Sequence, residues 1–437
     1  MPSSREALFH RSDRGARTST YLSSEGSVPV ARRKILAIVL AGGAGDRMDV
    51  LTRERAKPSL PFGGVYQLID FPLSNLLHSG IDHVWVSVQY QPGSLDAEVA
   101  NGRPWDLDRT HGGFRLLMPQ EGVGGDEDGL AKGNADVLFR VRDQIRAADP
   151  DVLLVMSSDH VYRLDYCDAI ARHDSKGAEC TIVTTEVSRA EASHHATVVA
   201  NRQGRVTGVT DKPARPRTGV VATEIFVYDP RVLVQTLEEL HAELADEADE
   251  DETGLGDFGE HLIPRLVERG SVYEHRMDGY WCDVGRPDTY FAAHRDLLES
   301  DLGVVGRPDW PILSRTQQGR PARMQEGAVV VDSLLSSGCN VQGDVRRSVL
   351  GPGVTVGVGA TVNDSVIFAG ATIESGATVS WSILDTGVVV NSAAVLGGPP
   401  QGKLPTAEEL TLVGRDSQIS QGTTIARGAR LEPGTTT

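Results

Sequence analysis

Apolar and polar positions divide this chain into two textures. From Ile35 to about Ser300, short unbroken apolar runs alternate with stretches of helical period. The runs ILAIVL (35–40), VWVSV (84–88), VLLVM (152–156) and TIVTTEV (181–187) predict strands. A continuous apolar run suits a strand buried on both faces of a parallel sheet. After Asn134, a favourable N-cap, Val137, Val141 and Ile145 recur every four residues, which predicts a helix with one apolar face. Pro72, in FPLSNLL, fits the first residue of another helix. Strands alternating with helices imply an α/β, Rossmann-like domain with a largely parallel sheet and ligands at the carboxyl ends of its strands.

After about Gly303 the helical period vanishes, and Val, Gly and Ser dominate. Apolar positions then recur with a step of six or five, at Cys339, Val345, Leu350, Val356, Val362, Phe368, Ile373, Val379, Leu384 and Val390, and again at Ile425 and Leu431. This step resembles the hexapeptide repeat of the left-handed parallel β-helix, in which each coil buries its apolar side chains against the next. A β-sandwich would show longer alternating strands instead. The expected organisation is a tail at 1–33, an α/β domain at 34–302 and a β-helix at 303–437. The tail is rich in Ser and Arg and poor in apolar residues, a composition expected to stay disordered.

Composition narrows the classes of function. A chain of 437 residues exceeds one core, and 40% hydrophobic with 24% charged residues is ordinary for a globular protein. A net charge of −17 argues against general nucleic-acid binding, so any site for anions must build its positive field locally. The acidic run DEADEDE near residue 250 reads as a solvated segment. The four cysteines lack C-x-x-C spacing and read as reduced thiols. No apolar run approaches the ~20 residues of a membrane span, and no secretory h-region is found. A cytoplasmic protein is expected.

The segment most informative about chemistry is Ile35 to Lys57. Its first strand is followed at once by Gly42, Gly43 and Gly45, then by Arg47 and Lys57. Glycines let several backbone N–H groups approach one anion, and two cations suit a polyphosphate. The spacing is not that of a P-loop. It resembles the signature loop of the sugar nucleotidyltransferases, GGxGTRLxPLTxxxxKP. The further blocks QLIDFPLSN, SSDHVYRLDY, DKP, DFGEHLIP and YWCDVG, with the hexapeptide texture behind them, resemble the bacterial ADP-glucose pyrophosphorylase family from about Lys34 to Gly398.

That resemblance implies attack of a sugar 1-phosphate on the α-phosphate of a nucleoside triphosphate, expelling pyrophosphate to make an ADP-sugar for α-glucan synthesis. ATP and glucose 1-phosphate are the implied substrates, Mg²⁺ the implied metal and a homotetramer the implied assembly. Asp159 and Asp283 match the family's metal-holding aspartates. Arg47 and Lys57 match its catalytic cations on the triphosphate. Lys212, in DKP, matches the lysine that holds the sugar phosphate, with Asp211 beside it standing where the family's E-K-P has glutamate. Gln120 and Gly133 through Asp136 fall where the family recognises the nucleobase. Because anion attacks anion in this reaction, positioning and charge neutralisation carry the catalysis.

Departures fall mostly around the sugar. The threonine of the family's GTR is Asp46, the tyrosine before its G-T-A-D-A block is Ala131, and the glycine of its F-G pair is Ala196. The serine and glycine of S-M-G are Ala222 and Glu224, and the arginine of Y-W-R-D-V-G is Cys282. The activator-contact lysine three residues before Lys57 is Glu54, which argues against sugar-bisphosphate activation there. An alternative therefore stays open, a non-catalytic regulatory paralogue that binds sugar phosphate. His194 and His195, adjacent in sequence, are expected to point apart and to lie at the pocket edge or surface.

Overall fold

The apolar run Ile35–Ala41 forms the middle strand of a nine-stranded mixed sheet. It is buried along nearly its whole length because it is covered on both faces, as its unbroken hydrophobicity requires. His83–Val88 and Val152–Ser157 flank it in parallel, and Gly113–Leu117 continues the parallel half. The other half departs from the expected parallel order. Val220–Tyr228 runs antiparallel to both Val152–Ser157 and Cys180–Glu186. The computed structural model describes residues 33–43, 45–118, 130–244, 253–315 and 319–437. The expected tail and the acidic run lie almost wholly outside these residues.

Two helices differ in detail from the sequence expectation. The apolar period after Asn134 is split into Asn134–Arg140 and Arg142–Ala148, with Gly133 rather than Asn134 in the N-cap position. Pro72 sits at the third residue of the helix Asp70–His78, still within the first turn, where a missing N–H is tolerated.

Residues from Arg323 onward form three six-stranded parallel sheets, the faces of a left-handed β-helix. Apolar residues stack coil on coil: Val341, Val356, Ile373, Val390 and Ile419 on one face, and Val345, Val362, Val379 and Leu396 on the next. The third ladder runs Leu350, Ile367, Leu384 and Val413. Ile367, not Phe368, therefore occupies the repeat position. A serine ladder reinforces one corner, the Ser365 N–H donating to Ser348 Oγ at 3.1 Å and the Ser382 N–H to Ser365 Oγ at 3.3 Å.

Phe368 points outward and joins Phe62, Phe71, Tyr290, Phe291, Leu410 and Leu412 in an apolar cluster between the mixed sheet's layers and the prism. Lys34 to Thr437 accordingly form one compact unit. Ion pairs frame the apolar contact. Arg55 meets Asp385 at 2.5 Å with both side chains buried, and Arg430, from the last coil, meets Asp49 at 2.9 Å.

Candidate active site

Strand register brings the chemical groups together. Leu40 lies opposite Ser157, and Ser158 donates to the Leu40 carbonyl through both its N–H (3.2 Å) and its hydroxyl (2.7 Å). The glycine loop after Ala41 and the carboxylate of Asp159 thus leave the sheet side by side. Trp281–Asp283 then pairs antiparallel with His160–Tyr162, placing Asp283 opposite His160. The two aspartates read from separate motifs become neighbours through this small two-stranded ribbon. A cavity of about 480 Å³ opens there. Gly42, Gly43, Gly45, Arg47, Lys57, Gly133, Asp159, Asp211, Lys212 and Asp283 all line it. Gln120 lies outside the described residues.

The glycines have distinct roles. Gly45 has φ +76°, and the Thr52 hydroxyl donates to its carbonyl at 2.8 Å, closing the loop onto the short helix Asp46–Thr52. Gly133 has φ +124°, and a Cβ there would lie 2.3 Å from the Gly256 carbonyl carbon, so no side chain fits. Asp136 behind it is structural, accepting from Lys132 N–H and Arg140 Nε.

Charge is dense at the cavity floor. The Lys57 ammonium is almost fully buried and bonds the Asp159 carboxylate, whose other oxygen accepts from the Ser157 hydroxyl. Burial would raise the Asp159 pKa, but Lys57, His160 and the hydrogen bonds hold it far below the usual carboxylate range. Burial would lower that of Lys57, but Asp159 and Asp283 keep it raised and the amine charged. His160 is buried, with Nε2 at 3.5 Å from Asp159 and 3.9 Å from Asp283. Burial lowers its pKa, yet the surrounding carboxylates carry it above the ordinary histidine value. Arg47 lies exposed at the mouth and makes no ion pair among the described residues. Lys212, also exposed, stands 3.9 Å from Asp211 on the rim.

The donor set fits a divalent cation. Asp159, His160 and Glu224 each offer a ligand atom within 4.8 Å of the others. Asp283 Oδ1 is buried without a hydrogen-bond partner, a costly arrangement unless a cation or water meets it.

Several departures look different in three dimensions. Ala131, Ala196 and Ala222 line the cavity beside Ile182, Val209 and Phe226, giving its inner wall an apolar character. Cys282 does not line it. Strand alternation turns this thiol away from Asp283 toward the Tyr280 side, where burial pushes its pKa up to about 12. His195 was missed as a site residue: it is buried in a turn after a short helix, not on a strand, with Nδ1 3.9 Å from Asp283 and Nε2 3.2 Å from Glu191. His194 stays at the exposed rim, as expected.

Comparison with known proteins identifies the two halves of the chain. Residues 36–300 match the family model for nucleotidyl transferase, and residues 320–403 match that for the GlmU-like C-terminal hexapeptide region. A glucose-1-phosphate adenylyltransferase of Pseudothermotoga lettingae is 38% identical over 333 residues, 76% of either chain. One from Clostridium acetobutylicum is 36% identical over 75% of this chain and 84% of its own. One from Thermotoga maritima is 39% identical over 75% of this chain and 76% of its own. With both family models matched in order and relatives 36–39% identical over three quarters of its length, the chain belongs to the glucose-1-phosphate adenylyltransferase family of nucleotidyl transferases.

Proposed function

We propose that this enzyme transfers the adenylyl group of ATP to glucose 1-phosphate, releasing pyrophosphate and forming ADP-glucose for glycogen or α-glucan synthesis. The observation that carries this reading is the convergence of Asp159, Asp283, Lys57, Arg47 and Lys212 on one cavity behind the glycine loop.

The triphosphate would lie along the backbone of Gly42, Gly43 and Gly45, with the base toward Gly133. Arg47, which makes no ion pair among the described residues, is placed to turn onto the outgoing phosphates. Lys57 is fixed deeper, where burial strengthens its pull on charge developing around the α-phosphate. Lys212 would hold the sugar phosphate, with Asp211 beside it, so that its oxygen approaches in line. Asp159 and Asp283 would hold one Mg²⁺, which when bound supplies further neutralisation of the phosphate charge. Ser157 fixes the Asp159 carboxylate by donating to it.

Two further points complete the reading. No helix among the described residues is long and apolar enough to cross a membrane, and the ATP requirement supports a cytoplasmic enzyme. The first coil leaves strand edges open, with Met324, Val329, Val331 and Leu334 exposed beside them, a surface suited to a homotetramer contact.

The test is pyrophosphate release from a panel of nucleoside triphosphates and sugar 1-phosphates. ATP with glucose 1-phosphate should give turnover that excess chelator abolishes. No release with any pair would overturn the reading.

A further inference from the structure

Glu224 occupies an unusual position. The strand Val220–Tyr228 slips register against Cys180–Glu186 between Ala222 and Phe226, and Glu224 sits in that irregularity with φ +55°. Left-handed backbone is disfavoured for a glutamate, and such strain collects at functional sites. The slip also places the Thr223 carbonyl 3.1 Å from His160 Nδ1. A carbonyl only accepts, so Nδ1 carries a proton and donates it there, which leaves Nε2 directed at the carboxylates of Asp159 and Asp283. This is the orientation of a metal-ligating histidine, whose other nitrogen donates to a backbone carbonyl.

Three carboxyl side chains gather around this ring, two of them beside Nε2. Asp159 and Asp283 stand at 3.5 and 3.9 Å, and a Glu224 ligand atom lies within the 4.8 Å cluster. Among the described residues Glu224 forms no hydrogen bond or ion pair, and Asp283 Oδ1 has no hydrogen-bond partner. Lys57 is the one lysine in this group, and it engages Asp159. The site gathers more carboxyl groups than its one lysine engages.

We propose that Glu224 and His160 extend the two-aspartate site into a pre-formed divalent-cation site that fills before the nucleotide arrives. The proposal rests on the assignment of Asp159 and Asp283 to the metal. A site with two carboxylates ordinarily relies on substrate phosphates to complete its shell. A third carboxylate and an imidazole remove that dependence, and the imidazole favours Mn²⁺ over Mg²⁺.

The experiment is a Mn²⁺ titration of the full-length protein, followed by electron paramagnetic resonance of free Mn²⁺, without nucleotide and with a non-hydrolysable ATP analogue. Wild type should bind one Mn²⁺ in either condition. Glu224→Gly, which also relieves the backbone strain and so should fold, should weaken nucleotide-free binding about tenfold or more while leaving binding with the analogue nearly intact. His160→Asn should act in the same direction. Equal nucleotide-free affinity in wild type and Glu224→Gly, or no binding by wild type without nucleotide, would overturn the proposal. Asp159→Asn separates the two ideas: it should lose Mn²⁺ in both conditions, and full retention with the analogue would instead overturn the aspartate assignment. Unchanged Mn²⁺ affinity with an altered KM for sugar phosphate in Glu224→Gly would move that residue to the sugar and reject it as a ligand.

Discussion

The buried Lys57 ammonium is bonded to the Asp159 carboxylate, so the lysine assigned to the phosphates and the aspartate assigned to the metal hold each other in place. Removing one partner of a buried pair strands the other charge. Lys57→Met should therefore destabilise the protein by about 3 kcal/mol and remove most turnover. In Lys57→Met/Asp159→Asn much of the stability should return while activity stays lost. A double-mutant cycle on urea midpoints checks this, and additive losses would contradict the coupling.

Asp159→Asn alone should lose most turnover and, by leaving the buried Lys57 charge without its carboxylate, lower the unfolding midpoint, while circular dichroism still shows the native fold. Asp283→Asn should likewise lose most turnover. Wild-type activity that persists in excess chelator would remove the metal from the mechanism.

Lys212→Ala should weaken every sugar phosphate tested, since the charge acts on the phosphate whatever sugar it carries. Ala222→Ser should improve glucose 1-phosphate selectively, by restoring a hydroxyl to an apolar stretch of wall. Calorimetric titration with two or three sugar phosphates separates these effects. No gain from Ala222→Ser would mean that the alanine wall leaves glucose recognition intact.

Asp70 carries a pH signature unrelated to substrate. Its carboxyl is buried and accepts from the Gln67 N–H at 2.7 Å, and burial raises its pKa to about 7. Between the unfolded value near 4 and this folded value, the native state binds more protons than the unfolded state. Stability contributed by the protonated group is thus full below about pH 4 and is lost as pH rises toward 7. Asp70→Asn should remove this slope, raising stability at pH 8 relative to pH 5 by about 2.5 kcal/mol. Urea denaturation at the two values provides the measurement.

Sedimentation at micromolar concentration should show a species near four times the 46.9 kDa chain. Replacing Met324 and Leu334 by Lys should dissociate it if the open coil edge is the contact. A single species of chain mass would reject the assembly.

Strands and prism were legible because their burial patterns are written directly as apolar runs and as a step of five or six. The antiparallel half of the sheet was not, because a run such as VVATEIFVY carries no direction. Phe368 took the place of Ile367 in the expected ladder because two adjacent large apolar residues serve different cores, one inside the prism and one outside. In the cavity, Gly42, Arg47, Lys57, Asp159, Lys212 and Asp283 were found through motifs, and the strand register brought them together. His195 escaped because both adjacent histidines were expected at the pocket edge or surface, whereas the turn carries one of them inward beside Asp283. Glu224 was noticed only as a missing glycine, since its placement depends on a register slip that sequence spacing does not reveal.

Arg430 does more than join two layers. Its guanidinium bonds Asp49, held at φ +57° two residues beyond Arg47, and also reaches the carbonyls of Ala407 and Leu410. The loop proposed to grip the triphosphate is thus tethered to the final coil of a prism that lends no residue to the cavity lining. The number of coils in the prism becomes a mechanical setting: lose the last one, or shift it sideways, and Arg47 loses its footing while the cleft keeps its shape.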